Sequence, residues 1–245
     1  HLGQPQRSFE MYLTPHTTSA MAMFGFVYLW YLLAVLVIEI WLEFRPLIVH
    51  RASSEKGLLR LFYRVLTLGS TNLSPRSLEI DDRVGRFITV VGIPSAFLLH
   101  GYVGFIFGSI KANPWWSTPL MPIVFLFSAI VSGIAAVLLI YIIYCKSKRI
   151  PIDVPCLDTM AKYLYYAFIV DFSLEMLDLI HRIYESDESF QSLDFMVKTR
   201  LYGSQIVLQI VLGTLVPLAL LALTQLRKFT IVVRQRMYVV AAALT

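Results

Sequence analysis

Charged side chains are scarce in this chain. Asp, Glu, Lys and Arg make up 15% of the 245 residues, whereas 57% are hydrophobic and the mean hydropathy is +0.68. A soluble domain carries about 25% charged residues, so this composition excludes a soluble fold. We predict an all-α polytopic membrane protein that forms one integral membrane domain over residues 1–245, because lipid offers no partner to an exposed backbone group.

Cysteine and metal-binding motifs are also scarce. The chain has two cysteines, Cys145 and Cys156, which form no CxxC spacing and are best interpreted as reduced thiols. The sequence contains no Walker A motif, Gly-rich nucleotide loop or HExxH motif. Only His100 lies deep within a predicted span, whereas a membrane haem needs histidine pairs at matched depth. We therefore predict no metal site and no haem in this chain.

Five apolar runs are long enough, at roughly 20 residues or more, to cross about 30 Å of hydrocarbon. They lie at residues 19–43, 86–110, 118–145, 160–183 and 202–226. A sixth apolar run begins near Met237 and continues to the last residue, and the first residue is His1 rather than Met. We therefore expect a piece of a larger protein, with five complete helical spans and the start of a sixth.

Residues 52–68 show an amphipathic pattern. Leu58, Phe62 and Val65 recur at helical spacing, while Arg60 and Arg64 lie on the opposite side. This pattern predicts a helix that lies on the inner membrane surface. A helix that docks a partner protein is the alternative.

Basic residues are concentrated in alternate loops and so indicate the orientation. Loops 44–86, 146–159 and 227–236 are rich in Lys and Arg, whereas loop 111–117 has only Lys111 and residues 184–200 are rich in acids. The positive-inside rule then places the residue 1 side outward, together with loops 111–117 and 184–200. The net charge of +5 is explained by the inner loops, so we predict no nucleic-acid partner.

The fourth span carries three acids, Asp171, Glu175 and Asp178, whose spacings of four and three residues place them on one helix face. A buried carboxylate costs several kcal/mol unless it is paired or protonated. Three charged carboxylates on one face repel one another, so we expect at least one to hold a proton and to serve proton transfer. A wet interface is the simpler alternative for Asp178 and for His181.

Two other spans place polar groups at a similar depth. His100 lies about 15 Å from the outer end of the second span, and Asp171 lies roughly 15–18 Å below the outer surface. Gln205 and Gln209 share a face in the outer half of the fifth span. A bond to a neighbouring helix is the alternative for both glutamines. Ser128 and Ser132 on the third span are interpreted as packing residues.

Residues 100–133 read HGYVGFIFGSIKANPWWSTPLMPIVFLFSAIVSG. This run resembles the NrfD / polysulfide reductase membrane subunit family, which typically shows His-Gly-Tyr-x-Gly-Phe, a lysine, Pro-Trp-Trp before PLMP, and a Ser-Ala-x-x-Ser-Gly helix. The opening LGQPQRSFEMYLTP is similar to the family's Leu-Gly-Arg-Pro-x-Arg loop and Thr-Pro span entry. His1, Gln4 and Ala20 stand where aspartate, arginine and proline are common. Within the family, the acidic fourth span resembles the DsrP-type subunit associated with dissimilatory sulfite reduction.

The resemblance implies a haem-free subunit of a quinol/quinone oxidoreductase complex, with eight to ten spans, in a bacterial or archaeal cytoplasmic membrane. It implies electron exchange between a quinone, with menaquinone favoured, and a ferredoxin-like iron–sulfur subunit on the outer face. Other membrane or cytochrome subunits are expected in the complex. In this family the quinone site lies in the outer leaflet, where the spacing of the polar residues independently predicts a polar layer.

Three sets of functional residues follow from the pattern and the resemblance together. His100, Asp171 and Glu175 are expected to act catalytically in proton transfer. The residues expected to bind the quinone are His100, Tyr102, Gly104, Trp115 and Gln209. Arg7 and Lys111 are expected to dock the iron–sulfur partner. Helix contact is the alternative for His100 and Tyr102, interface anchoring for Trp115, and surface solvation for Arg7 and Lys111.

Two other functions are compatible with the sequence. A proton-translocating subunit without its own quinone chemistry would use Asp171 and Glu175 in an outer half-channel and Glu39, near the inner end of the first span, in an inner one. A substrate transporter is less favoured, since the spans show no paired Pro/Gly-broken segments.

Overall fold

Helices account for the regular structure. The computed structural model describes residues 9–10, 14, 18–111, 116–184, 190–191, 194–195 and 197–245, and within these ranges seven helices have ten or more residues. The first five are α1 (Ala20–Ser54), α2 (Gly57–Leu66), α3 (Pro75–Gly108), α4 (Met121–Lys148) and α5 (Val154–Tyr184). Helix α6 joins a π-helical stretch, Val197–Leu215, to an α-helix, Val216–Leu226, and α7 is Ile231–Leu244. The all-α prediction is confirmed.

Four of the described helices are long and apolar enough to cross a membrane. These are Ala20–Ser54, Pro75–Gly108, Met121–Lys148 and Tyr202–Leu226, which overlap four of the five predicted spans. The predicted span 160–183 lies within α5, where Asp171, Glu175 and Asp178 interrupt the apolar run. The structure therefore has a helix at this position, and its passage through the bilayer stays a prediction. The sixth apolar run belongs to α7, which begins at Ile231, before the predicted start.

The chain divides into two units, residues 1–99 and 100–245, and each is described by itself. In the first unit, Ser19 caps the start of α1, and its hydroxyl accepts a hydrogen bond from the Ala22 N–H at 3.5 Å. Helix α1 is π-helical between Trp30 and Val37. It lies close to α3, because a Cβ added at Gly92 would be 3.0 Å from Cγ1 of Val35.

A buried arginine fixes the segment between α2 and α3. The Arg45 side chain is 1% exposed, and its Nε donates to Oδ2 of Asp81 at 2.8 Å. Its other nitrogens donate to Ser70 Oγ at 2.6 Å, to the Asn72 carbonyl at 2.9 Å and to Ser77 Oγ at 2.7 Å. These bonds satisfy a charge that could not otherwise be buried. They attach the α2–α3 connection and the first turns of α3 to the later part of α1.

Helix α2 lies within the predicted amphipathic segment 52–68. It begins at Gly57, whose φ is +66°, and it is followed by Leu68 and Gly69, whose φ values are +50° and +80°. Left-handed backbone of this kind is easily adopted by glycine, and it turns the chain sharply at both ends of the helix.

In the second unit, α4, α5, α6 and α7 surround one apolar core. Its fully buried side chains include Leu138, Leu157, Ala161, Leu164, Leu221 and Ala241. Helix α4 ends at Arg149, which has a φ of +54°, and α5 follows after Asp153, whose carboxylate accepts from the Cys156 N–H at 3.2 Å. The short connection makes α4 and α5 antiparallel neighbours.

A polar cluster ties α5 to α7 at the predicted inner end. Arg234 on α7 donates from Nη1 to Oδ2 of Asp158 on α5. Tyr238, which is 1% exposed, donates its hydroxyl to the other carboxylate oxygen at 2.9 Å. One carboxylate therefore pairs with two side chains of the neighbouring helix.

Candidate functional site

The acids of α5 face the interior of the second unit. Asp171 is 6% exposed and Glu175, one turn later, is half-buried. Oδ1 of Asp171 is fully buried and has no hydrogen-bond partner among the residues that the structure describes. Buried polar atoms nearly always have a partner, and this oxygen could accept a hydrogen bond from a bound group or carry a proton.

A cavity of about 390 Å³ lies against this face. Asp171, Glu175 and Gln209 all lie in its wall, so the structure brings together three of the residues predicted to be functional. The other polar residues of the wall are Ser128, Ser132, Ser204, Thr214 and Thr245. The volume falls within the range of about 300–1,000 Å³ that small-molecule sites occupy. Residues of α4, α5, α6 and α7 thus form one polar cavity.

The third acid of α5 has structural partners. Thr118, just before α4, donates its hydroxyl to Oδ1 of Asp178, and Nε of Arg182 donates to Oδ2 at 2.8 Å. Thr118 and Arg182 are both buried, at 7% and 6% exposure. Asp178 therefore ties the start of α4 to the end of α5. His181, by contrast, is exposed.

Two glycines bring the end of α3 against the start of α4. A Cβ at Gly104 would lie 2.5 Å from Cα of Pro122 and 2.6 Å from the Met121 carbonyl oxygen. A Cβ at Gly108 would lie 2.7 Å from the Thr118 carbonyl oxygen. This contact accounts for glycine at both positions, and the quinone-binding role of Gly104 stays a prediction.

These contacts relate the depths of His100 and Asp171. Gly108 packs against the Thr118 carbonyl oxygen, and Asp178 accepts a hydrogen bond from the Thr118 hydroxyl. Gly108 and Asp178 therefore lie at about the same depth. His100 precedes Gly108 by eight residues, or about 12 Å of helix, and Asp171 precedes Asp178 by seven, or about 10 Å. The two residues thus lie at similar depths along their helices.

The predicted residues do not all meet in one place. His100 and Tyr102 are half-buried on α3, and the cavity wall, as far as described residues form it, does not include them. The Tyr102 ring lies 5.8 Å from that of Phe105, centroid to centroid. Lys111 is exposed. Arg7, Trp115 and the side chain of Gln205 lie outside the described residues.

Two serines of the cavity wall differ from what their spacing predicts. Ser128 and Ser132 line the same cavity as Asp171, whereas their spacing predicts only helix packing. The available signal was their depth on α4, which matches that of the acids on α5. Thr214, five residues after Gln209, carried no signal of its own, and its hydroxyl donates to the Gln209 carbonyl at 3.1 Å.

The first unit holds a separate acidic groove. Its volume is about 540 Å³, and its charged residues are Glu39, Glu43, Asp81, Asp82 and Arg86. Thr89 donates its hydroxyl to Oε1 of Glu39 at 2.7 Å. This groove lies between α1 and α3, at the predicted inner ends of the first and second spans.

Comparison with known proteins identifies the family. The family model described as "Polysulphide reductase, NrfD" matches residues 1–244, which is nearly the whole chain. The chain belongs to the NrfD family. The resemblance drawn from residues 100–133 is therefore confirmed, and this NrfD-family chain is an integral membrane protein.

Three curated proteins are similar to this NrfD-family chain. The selenate reductase C subunit of Mesobacillus selenatarsenatis is 36% identical over 153 residues, which is 60% of this chain and 36% of that protein. Protein NrfD of Escherichia coli is 28% identical over 148 residues, covering 60% of this chain and 42% of the relative. A putative membrane C subunit of dimethyl sulfoxide reductase from Halobacterium salinarum is 29% identical over 244 residues, which is 95% of this chain and 50% of that protein.

The chain spans between about a third and a half of the length of these relatives. Two of them are named as C subunits of reductases, and one of these as a membrane subunit.

Proposed function

We propose that this chain is the quinone-reactive membrane subunit of a reductase-type electron-transfer complex. The observation that carries the proposal is the polar cavity of about 390 Å³ that gathers Asp171, Glu175 and Gln209. The partnerless Oδ1 of Asp171 fits a group that donates or accepts one more hydrogen bond. Carboxyl and amide side chains are suited to hold quinone oxygens, and the cavity is large enough for a head group.

Each residue has a distinct proposed role. A bound quinone, with menaquinone favoured, supplies the exchange of electrons and protons. Asp171 and Glu175 donate protons to the bound ring oxygens or accept them, which is general acid–base work. The side-chain amide of Gln209 orients the ring by hydrogen bonding. His100 and Tyr102, at a similar depth on α3, relay protons or bind a second oxygen, since histidine exchanges protons near neutral pH.

The electron partner is proposed to be a ferredoxin-like iron–sulfur subunit on the outer face, with other membrane or cytochrome subunits in the complex. The positive-inside distribution supports an outward location for residues 1–18 and for the loop that contains Lys111. Arg7, Lys111 and Trp115 belong to this outer side in the proposal. Two relatives are named as C subunits of reductases, which supports membership of a complex with several different subunits.

The test is quinol-dependent electron transfer by the purified complex. We expect Asp171→Asn and Glu175→Gln each to lower the rate by about 10²-fold, since each removes an acid–base group but keeps the shape. Glu79→Gln is the matched control, because Glu79 is exposed and pairs with Arg83, which is also exposed, at 3.2 Å. His100→Gln forms a second arm. Wild-type rates in both the Asp171 and the Glu175 variant would contradict the assignment of the cavity.

Proton translocation is a second proposed function, favoured by the acidic groove around Glu39. In that case Glu39 forms part of an inner half-channel, and Asp171 and Glu175 part of an outer one. Proteoliposomes that contain the complex and a quinol separate the two proposals. A proton gradient that depends on turnover and is lost in Glu39→Gln supports translocation, whereas turnover without a gradient indicates electron transfer alone.

A further inference from the structure

The apolar face of α2 is uncovered. Leu58 is 87% exposed, Phe62 58% and Val65 64%, and Leu59, Leu61 and Leu68 are also exposed. Six large apolar side chains are exposed within eleven residues. Apolar patches of this kind mark contacts with a membrane or with another protein. All six side chains stay exposed in the part of the chain that the structure describes.

Polar contacts, rather than burial of this face, hold α2 in place. Nε1 of Trp41 on α1 donates to the Leu66 carbonyl at the last turn of α2, at 2.7 Å. Directly after α2, Arg45 binds Ser70 and the Asn72 carbonyl. The helix is therefore folded and anchored on one side while its apolar side remains available.

The charge of this segment is of one sign. From Lys56 to Leu78 the sequence has no acidic residue, and it carries Lys56, Arg60, Arg64 and Arg76. Arg60 and Arg64 are exposed on α2 itself. A helix with leucine and phenylalanine on one side and arginine on the other suits the boundary between acyl chains and anionic head groups.

The neighbouring helix connects this segment to the bilayer. Helix α2 packs along the last turns of α1, which is one of the helices long and apolar enough to cross a membrane. Pro46 lies within α1, between Trp41 and the end of the helix at Ser54. A proline inside a helix bends it, so the last turns of α1 and α2 can leave the axis of the span and follow the membrane plane.

We propose that α2 is a lipid-binding helix that recognises anionic phospholipids of the inner leaflet. Leu58, Phe62 and Val65 enter the boundary of the acyl region, and Arg60 and Arg64 bind the lipid phosphates. This function does not depend on the quinone proposal. It assigns a lipid partner to a surface in the first unit, whereas the cavity lies in the second.

The first test measures the depth of α2 in lipid. A nitroxide label is placed at Leu58→Cys, Phe62→Cys or Arg60→Cys in a Cys145→Ala/Cys156→Ser background, and the protein is reconstituted in nanodiscs with phosphatidylglycerol. We expect labels at 58 and 62 to be relaxed mainly by oxygen, and the label at 60 mainly by a water-soluble nickel chelate. Relaxation by the nickel chelate at all three positions would overturn the proposal.

The second test measures lipid choice. Retention of phosphatidylglycerol over phosphatidylcholine is read by native mass spectrometry for the wild type and for Arg60→Gln/Arg64→Gln. Each basic residue near an anionic surface contributes about a fivefold preference for anionic lipid. We therefore expect the double variant to lose more than tenfold of its preference for phosphatidylglycerol over phosphatidylcholine. Lys146→Gln/Lys148→Gln removes the same charge at the end of α4 and is the matched control. Equal losses in the two pairs would show general electrostatics and contradict the proposal.

A protein partner on α2 gives a different result. In that case the labels at 58 and 62 are protected from both oxygen and the nickel chelate, and only in native membranes that contain the partner subunits. In lipid-only nanodiscs they are then water-exposed. That pair of results would replace the lipid proposal with a docking surface for another subunit.

Discussion

At the scale of single residues, the arginine buried beside α2 has more polar partners than any other side chain described above. Arg45 donates to four groups on the segment from Ser70 to Asp81. The sequence marks Arg45 only as one of many basic residues in loop 44–86. Its burial depends on a loop folding back over α1, and no local pattern encodes such a long-range contact.

Arg45→Met should destabilise the first unit by about 3 kcal/mol, because Asp81 and three other acceptors lose their partner in a buried setting. The measurement is thermal unfolding of the purified protein in detergent. Arg83→Met is the control, since Arg83 is 74% exposed in its pair with Glu79, and it should change the stability by less than about 0.5 kcal/mol. Similar melting temperatures for the two variants would show that the Arg45 contacts contribute little.

Gly104 and Gly101 provide a second comparison at this scale. Gly104→Ala should cost about 1–3 kcal/mol, because the new Cβ meets the backbone of Met121 and Pro122. Gly101→Ala should be neutral or stabilising, since no described atom outside its own stretch of helix lies within 4 Å of the added Cβ. Unfolding temperatures in detergent give both values. If Gly104→Ala instead melts like the wild type but binds quinone more weakly, the predicted quinone contact of Gly104 gains support.

The candidate site was partly predictable from residue spacing. Asp171 and Glu175 are four residues apart on a helix, and depth counting puts Gln209 in the same half of the membrane. The structure then places all three around one cavity. Serine at positions 128 and 132 is equally compatible with close packing and with a polar wall. The packing of α6 and α7 beside α4 decides between close packing and a polar wall. Hydropathy carries no information about how these helices pack.

At the scale of helices, hydropathy predicted where apolar runs lie and missed where helices begin. Helix α3 starts at Pro75, eleven residues before the predicted span 86–110. Its first turns are charged, and they form because Ser74 caps them, accepting from the Ser77 N–H at 3.4 Å, while proline occupies the first helical position. Capping and hydropathy are separate signals, and a span prediction uses only the second.

The contact between α4 and α5 can be measured as an energy. In a double-mutant cycle of Thr118→Val and Asp178→Asn, we expect a coupling of about 1 kcal/mol, since the two side chains share a buried hydrogen bond. Thr118→Val combined with Asp153→Asn is the control cycle, because Asp153 lies at the opposite end of α5 and should be additive. Free energies of unfolding in detergent supply the values. Additivity in the first cycle would show that the contact does not join the helices energetically.

At the scale of the whole molecule, the two cysteines offer a test of orientation. Cys156 is exposed in the first turn of α5, at the end predicted to be inside, whereas Cys145 is buried. A membrane-impermeant maleimide should therefore label the protein in inside-out vesicles and leave it unlabelled in intact spheroplasts. Tyr184→Cys in a Cys156→Ser background is the reverse control, because Tyr184 is 87% exposed at the predicted outer end. Labelling of Cys156 in intact spheroplasts would invert the predicted orientation and move the cavity to the inner leaflet.

The acids of α5 have a consequence for biosynthesis. An acid at the centre of a span opposes translocon insertion by about 2.5–3.5 kcal/mol, and α5 carries three acids in its second half. Helix α4 is strongly apolar and is made immediately before α5, and Thr118, just before α4, donates a hydrogen bond to Asp178. We expect α5 to enter the bilayer only as the second half of an α4–α5 hairpin. A glycosylation-mapping assay should find α5 largely uninserted when fused alone and inserted when α4 precedes it.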